Sequence, residues 1–80
     1  MNIKILGSGC ANCVNLERAA REAVAGLGIE ATFEKVTDYA EIASYDVLRT
    51  PGLVVDGQLV LSGRVPTARQ VSELLAPLVG

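Results

Sequence analysis

The spacing of hydrophobic positions changes several times along the chain, and each change marks an element. Residues 2–6 hold Ile3, Ile5 and Leu6 in a short apolar run that stops at Gly7-Ser8-Gly9, the pattern of a buried, central strand feeding a loop. From residue 11 to about 25 there is neither proline nor glycine, and Cys13, Leu16, Ala20, Ala23 and Leu27 recur at steps of 3, 4, 3 and 4. That period predicts a helix with this stripe turned inward. The other side of the helix sets Glu17 against Arg21 and Arg18 against Glu22, opposite charges at the four-residue spacing that brings side chains together in water. Gly26 and Gly28 supply its C-terminal stop.

Residues 29–36 alternate Ala31, Phe33 and Lys35 with Glu30, Thr32 and Glu34, which predicts a second strand nearer the sheet edge. Asp38 and Glu41 stand at capping-box spacing ahead of a short helix at 39–43. Two apolar runs, 52–55 and 59–61, flank Asp56-Gly57, a dipeptide suited to the positive φ angles of a two-residue hairpin turn. Thr67 and Gln70 form a second capping box, after which Val71, Leu74, Leu75 and Leu78 share one helical face until Pro77 and Gly80 close the chain. The predicted order is βαβαββα. A right-handed crossover places the first two strands side by side, and the hairpin then extends the other edge. The expectation is an α/β fold, a three-layer sandwich on a four-stranded mixed sheet, formed as one domain over residues 1–80.

Composition narrows the chemistry. Half of the 80 residues are apolar, which excludes intrinsic disorder. Seven basic and nine acidic residues give a net charge of −2, so neither nucleic acid nor a membrane surface is an expected partner. The longest apolar runs fall far short of the roughly 20 residues that span a bilayer, and the N-terminus lacks the layout of a secretory signal. A soluble, cytoplasmic protein is expected. Histidine is absent, which removes Ser/His and Cys/His nucleophilic pairs and histidine-ligated metal sites.

Cys10 and Cys13 are the two cysteines, placed where the first strand gives way to the first helix. Cys13 is in phase with Leu16 and Ala20 and is expected to face the core. Cys10 falls at the helix N-terminus, where unpaired N–H groups and the helix dipole favour a thiolate. Such a thiolate can attack a disulfide, and a buried neighbour one turn away can resolve the mixed disulfide. Two other readings remain open for the same pair: a copper(I) or other soft-metal carrier, and an inert pair of small core residues. Known copper carriers of this size have a Met-Thr pair before the motif and end in a strand, whereas Ser8-Gly9 stands here and the last predicted element is a helix. A regulatory module whose disulfide reports redox state is a further reading.

Arg49-Thr50-Pro51-Gly52 adds to the redox case. A proline at a strand entrance gives no ladder hydrogen bond, and beside the helix N-terminus it can leave the Thr50 backbone available to an extended substrate. Together, Gly7-Ser8-Gly9-Cys10-Ala11-Asn12-Cys13, Thr50-Pro51-Gly52-Leu53-Val54-Val55-Asp56-Gly57 and Ser62-Gly63-Arg64-Val65-Pro66 resemble the thioredoxin and glutaredoxin superfamily, and more narrowly its small microbial "redox-active disulfide" members. The resemblance covers nearly the whole chain. It implies a thiol–disulfide oxidoreductase in which Cys10 attacks, Cys13 resolves and Pro51 is a cis-proline opposite the disulfide. Thr50, Pro51, Ala11 and Asn12 are then the substrate-contacting positions. It also implies that the first and third helices cover one sheet face and the second helix the other. No metal and no cofactor is implied; the partners would be protein disulfides and a thioredoxin-reductase-like or other reductase, with the chain acting as a monomer.

Several positions depart from the family pattern. Gly9 replaces the usual tryptophan, Ala11-Asn12 the usual Gly-Pro, and Lys4 stands nearest to the usual buried acid of the preceding strand. Lys4 is expected to snorkel to solvent or to pair with Glu34. Ser62-Gly63-Arg64 and Asn12 replace the glutathione-binding features of glutaredoxins. Val14 is expected to be exposed beside the cysteines, and Tyr39 and Tyr45 to be packing residues with wet hydroxyls.

Overall fold

A computed structural model describes residues 1–7, 11–47 and 49–79. Its elements follow the predicted order: β1 (Asn2–Leu6), α1 (Ala11–Leu27), β2 (Thr32–Val36), α2 (Tyr39–Ser44), β3 (Gly52–Val55), β4 (Gln58–Ser62) and α3 (Ala68–Val79). The sheet runs β2-β1-β3-β4. β1 pairs parallel with β2 and antiparallel with β3, and β3 pairs antiparallel with β4. This is the mixed four-stranded sheet the crossover argument predicts, with β1 inside it.

Alternation along β1 separates the layers. Ile3 and Ile5 are buried with Leu16, Ala20 and Ala23 of α1 and Val71 and Leu75 of α3. Leu6 points the other way and is buried with Val36, Val54 and Ile42 of α2. Helices α1 and α3 therefore cover one face and α2 the other, as the resemblance implies. The hairpin turn holds Asp56 and Gly57 at φ 49° and 84°, the positive angles expected of this dipeptide. Asp56 also ties the turn to the start of β1: its amide donates to the Asn2 carbonyl and its carboxylate accepts from the Asn2 amide, each at 2.7 Å.

A bulge decides the orientation of β4. Leu53 pairs with Leu61, yet the next residue, Val54, pairs with Leu59, which leaves Val60 as the extra residue. An uninterrupted strand would turn Leu59 and Leu61 to the same face. Here Leu61 joins the α1/α3 core and Leu59 packs toward α2.

Element ends differ from expectation in five places, the simplest being β4, which runs Gln58–Ser62 rather than over 59–61. Helix α1 continues through Gly26 to Leu27 and ends at Gly28, whose φ is +68°. The Gly28 amide donates to the Ala25 carbonyl and the Ile29 amide to the Val24 carbonyl, the paired bonds of a Schellman cap. Because that cap uses Ile29, β2 begins at Thr32 rather than at residue 29. Asp38 caps α2 at the Ala40 amide, 3.0 Å away, instead of reaching the amide of Glu41, and that helix ends at Ser44. Helix α3 runs through Pro77; the carbonyl that proline leaves without a donor is that of exposed Glu73 in the last turns, where water can take the donor's place. Its start is as predicted: the Thr67 amide donates to Gln70 Oε1 and the Gln70 amide to Thr67 Oγ1.

Candidate active site

Two chain segments meet across one glycine. Gly7, the residue after β1, is buried with φ 151°, an angle that disfavours a side chain, and its amide donates to the Val36 carbonyl of β2 at 2.9 Å. A Cβ built on Gly7 would overlap Cys13 Sγ and stand 3.6 Å from the Thr50 Cβ. Cys13 on α1 and Thr50 ahead of β3 are thus brought together because the residue between them has no side chain. Sequence reading gave Gly7 only a loop role; its signal was a glycine at a strand end, which marks close approach of another group to the backbone.

Cys13 is 6% exposed, on the buried stripe with Leu16 and Ala20 as the helical period predicts. Ala11 and Asn12 are exposed on the first turn of α1. Thr50 is exposed, Pro51 is buried, and the peptide between them is cis. The Pro51 carbonyl accepts from the Gly63 amide at 2.9 Å, so the end of β4 anchors this segment. Cys10, with Ser8 and Gly9, lies outside the described residues.

Two concavities flank this meeting point. On the α1 side, a slot of about 60 Å³ is lined by Ile5, Gly7, Cys13, Val14, Lys35 and Thr37. On the α2 side, an open groove of about 200 Å³ is lined by Tyr39, Ile42, Ala43, Val47, Arg49 and Thr50. Val14 is 45% exposed, as expected. Tyr39 is 86% exposed and so is not a packing residue. It occupies the first position of a six-residue helix whose one buried side chain is Ile42, and it stands over the groove.

Charged residues around the site depart from expectation. Lys4 pairs with Tyr45, donating to its hydroxyl at 3.3 Å with the ammonium 5.9 Å from the ring centroid. That hydrogen bond, more than the nearby charges of Glu34 and Glu41, raises the lysine above its ordinary value. Glu34 is the backbone register partner of Lys4, but Tyr45, half-buried against the α2 layer, takes the ammonium. The Tyr45 hydroxyl is therefore bonded to protein.

The predicted Glu17–Arg21 pair closes at 2.9 Å, and the Glu17 side chain is only 18% exposed, less solvated than an outward helix face suggests. Its Oε1 is buried without a hydrogen bond and lies 3.2 Å from Lys35 Nζ, an ionic contact outside hydrogen-bond geometry. The Arg21 hydrogen bond, helped by Lys35 and opposed by burial, holds the Glu17 carboxyl below its ordinary range. Arg21 also lies 4.4 Å over the Phe33 ring. Among the described residues, Arg18 and Glu22 form no second pair. The link from Glu17 to Lys35 joins residues far apart in sequence, and helical spacing gives no signal for it.

Comparison with known proteins agrees with this architecture. The thioredoxin domain family model matches residues 1–76. A thioredoxin of Methanothermobacter thermautotrophicus is 46% identical over 76 residues, covering 95% of this chain and 99% of the relative. A thioredoxin of Methanocaldococcus jannaschii is 40% identical over 73 residues, 91% of this chain and 84% of the relative. The chain belongs to the thioredoxin family, a family of thiol–disulfide oxidoreductases.

Proposed function

We propose that the chain cycles Cys10 and Cys13 between dithiol and disulfide and reduces disulfides in other proteins. Cys10, immediately before α1 in sequence, is the attacking thiolate, favoured by the helix N-terminus. It forms a mixed disulfide and releases the first substrate thiolate. Cys13 then loses its proton to solvent and attacks Cys10 Sγ. The Cys10–Cys13 bond forms, the electron pair of the broken bond leaves on the second substrate sulfur, and a reductase later returns two electrons. The observation that carries this reading is the space beside Gly7, where a Cβ would overlap Cys13 Sγ and stand 3.6 Å from the Thr50 Cβ, so that a buried thiol lies near the exposed Thr50. The groove lined by Tyr39, Val47 and Thr50 would take the extended substrate, with Pro51, Ala11 and Asn12 around the reacting sulfurs. The chain would work as a monomeric single domain in the cytoplasm, drawing electrons from a thioredoxin-reductase-like or other reductase.

The test is equilibration of metal-free protein with a defined thiol–disulfide buffer, quenched by alkylation and read by intact mass. Both cysteines are expected to change together in one two-electron step. Cys10→Ser is expected to abolish exchange and Cys13→Ser to accumulate mixed disulfides. Thiols that stay blocked until a chelator is added would support the soft-metal carrier instead, and a Cys13→Ser variant that releases partners at the native rate would remove Cys13 as the resolving residue.

A further inference from the structure

The groove beside Thr50 contains a cation that the exchange scheme leaves unused. Arg49 lines the groove next to Thr50, and the other walls come from neutral side chains, Tyr39 and Val47 among them. Among the described residues Arg21, Lys35 and Arg69 each have a carboxylate partner and Lys4 has the Tyr45 hydroxyl, whereas Arg49 has neither. Arg18 and Arg64 are also unpaired there, but both lie outside this groove. The stem of Arg49 is supported. A Cβ built on Gly63 would stand 3.3 Å from Arg49 Cβ and 3.7 Å from its Cδ, so the arginine lies along the bare backbone of a glycine at φ 77°. The Gly63 amide donates to the Pro51 carbonyl, which ties that support to the Thr50-Pro51 segment. A guanidinium on a stem packed this way loses less freedom when it meets a carboxylate, and its planar fork fits that group with two hydrogen bonds.

We propose that Arg49 determines substrate choice: the groove prefers disulfides whose extended segment carries a carboxylate close to the reacting cysteine. The inference rests on the dithiol reading above and names the substrate class of that same site. An extended chain advances roughly 3.3 Å per residue, so a peptide lying along Thr50 brings the residues next to its cysteine, and not remote ones, to Arg49. Tyr39, 86% exposed, adds aromatic area to the opposite wall. The nearby carboxylates sharpen the preference. Asp38 is turned to the Ala40 amide, the charge of Glu41 acts on Lys4, and Asp46 follows the end of α2; none of the three lines the groove. An acid spread along α2 meets these like charges, which confines the favourable position to Arg49.

Three synthetic peptides test the assignment. They differ only in carrying Glu, Gln or Lys two residues from a cysteine held as a mixed disulfide with a chromogenic aromatic thiol. Cys10 attacks the peptide sulfur, the new sulfur–sulfur bond forms, and the aromatic thiolate leaves with the electron pair and is read by absorbance. Rates are divided by those of a small dithiol with the same peptides, which removes their intrinsic reactivity. At low ionic strength the native chain is expected to favour the Glu over the Lys peptide about fivefold in kcat/KM, carried by KM, with the preference shrinking in salt. Arg49→Gln is expected to bring the ratio to near one, Arg49→Lys to keep part of it, and Arg49→Glu to invert it. A native chain that does not discriminate overturns the proposal, as does an Arg49→Gln variant that slows all three peptides alike, the mark of a purely structural residue. A native chain that reduces none of them removes the dithiol reading instead. Serine versions of the same peptides, titrated against the amide resonances of Thr50 and Gly63, then still decide: tighter binding of the Glu peptide that Arg49→Gln abolishes supports the role of Arg49, and equal affinities overturn it.

Discussion

The two faces of β1 are covered very differently. Toward α1 and α3, Ile3 and Ile5 meet Leu16, Ala20, Leu53, Val71 and Leu75 in a continuous layer with little or no exposure. Toward α2, the buried set is Leu6, Val36, Ile42 and Val54, and the rest of that side of β1 is Lys4 against Tyr45 and the exposed Asn2. Helix length accounts for the contrast. Helices of 17 and 12 residues cover one face, whereas six residues of α2 bring one buried side chain to the other. The thick layer supplies most of the buried apolar area, and so most of the hydrophobic stabilisation. The thin layer leaves Tyr39, Val47 and Thr50 around an open groove. Gly7 lies where the two meet, with Cys13 and Thr50 both beside the space a side chain there would fill. The lesson is a division of labour in which one face holds the fold and the other leaves the site accessible.

Paired truncations test that contrast most strongly. Leu16→Ala, at 0% exposure in the thick layer, is expected to cost about 3–5 kcal/mol, and Ile42→Ala about 2 kcal/mol, both read as urea unfolding free energies. Equal losses would contradict the unequal division. At the seam, Gly7→Ala drives a Cβ into Cys13 Sγ at an unfavourable φ, for a loss of about 1–3 kcal/mol together with slowed disulfide exchange. A variant with native stability and native exchange would show that the two sides are not joined through this glycine. Removing the α3 cap with Thr67→Ala is expected to cost about 1 kcal/mol while leaving exchange unchanged, because the cap lies on the thick side away from Gly7.

The smallest effect concerns Glu17. Its carboxyl is held low in the folded chain, so the stability it contributes is present above its ordinary value near 4.5 and is lost as pH falls through the lowered folded value. The urea midpoint of Glu17→Gln is therefore expected to lie below that of the native chain at neutral pH and to converge with it in acid. A gap that persists in acid would assign the loss to packing rather than charge.

Local patterns were enough for most of the architecture. Element order, the neighbouring β1 and β2, the Asp56-Gly57 turn and the Thr67/Gln70 cap are all legible because each depends on residues close in sequence. Cys13 on the buried stripe is legible for the same reason, since a helical period fixes which side chains share a face. Element ends were less so. Gly26 offers a stop signal, yet the left-handed cap sits at Gly28, and Pro77 signals an end, yet a late proline in an exposed turn is accommodated within α3. The exposure of Tyr39 has no local signal, because nothing in the neighbouring residues reveals that α2 buries Ile42 alone.

By itself, then, the sequence determined the class of fold, the order of its elements and the place of Cys13 on the buried stripe of α1, since period, turn and cap chemistry act over a few residues. Tertiary structure decided what lies next to Cys13. The approach of Thr50 to Cys13 across Gly7, the bulge at Val60 that sends Leu59 and Leu61 to opposite faces, the pairing of Lys4 with Tyr45 and the reach of Lys35 to Glu17 all join residues distant in the chain. Such contacts depend on register and on the space left by missing side chains, and both exist only once the sheet and its helices have packed.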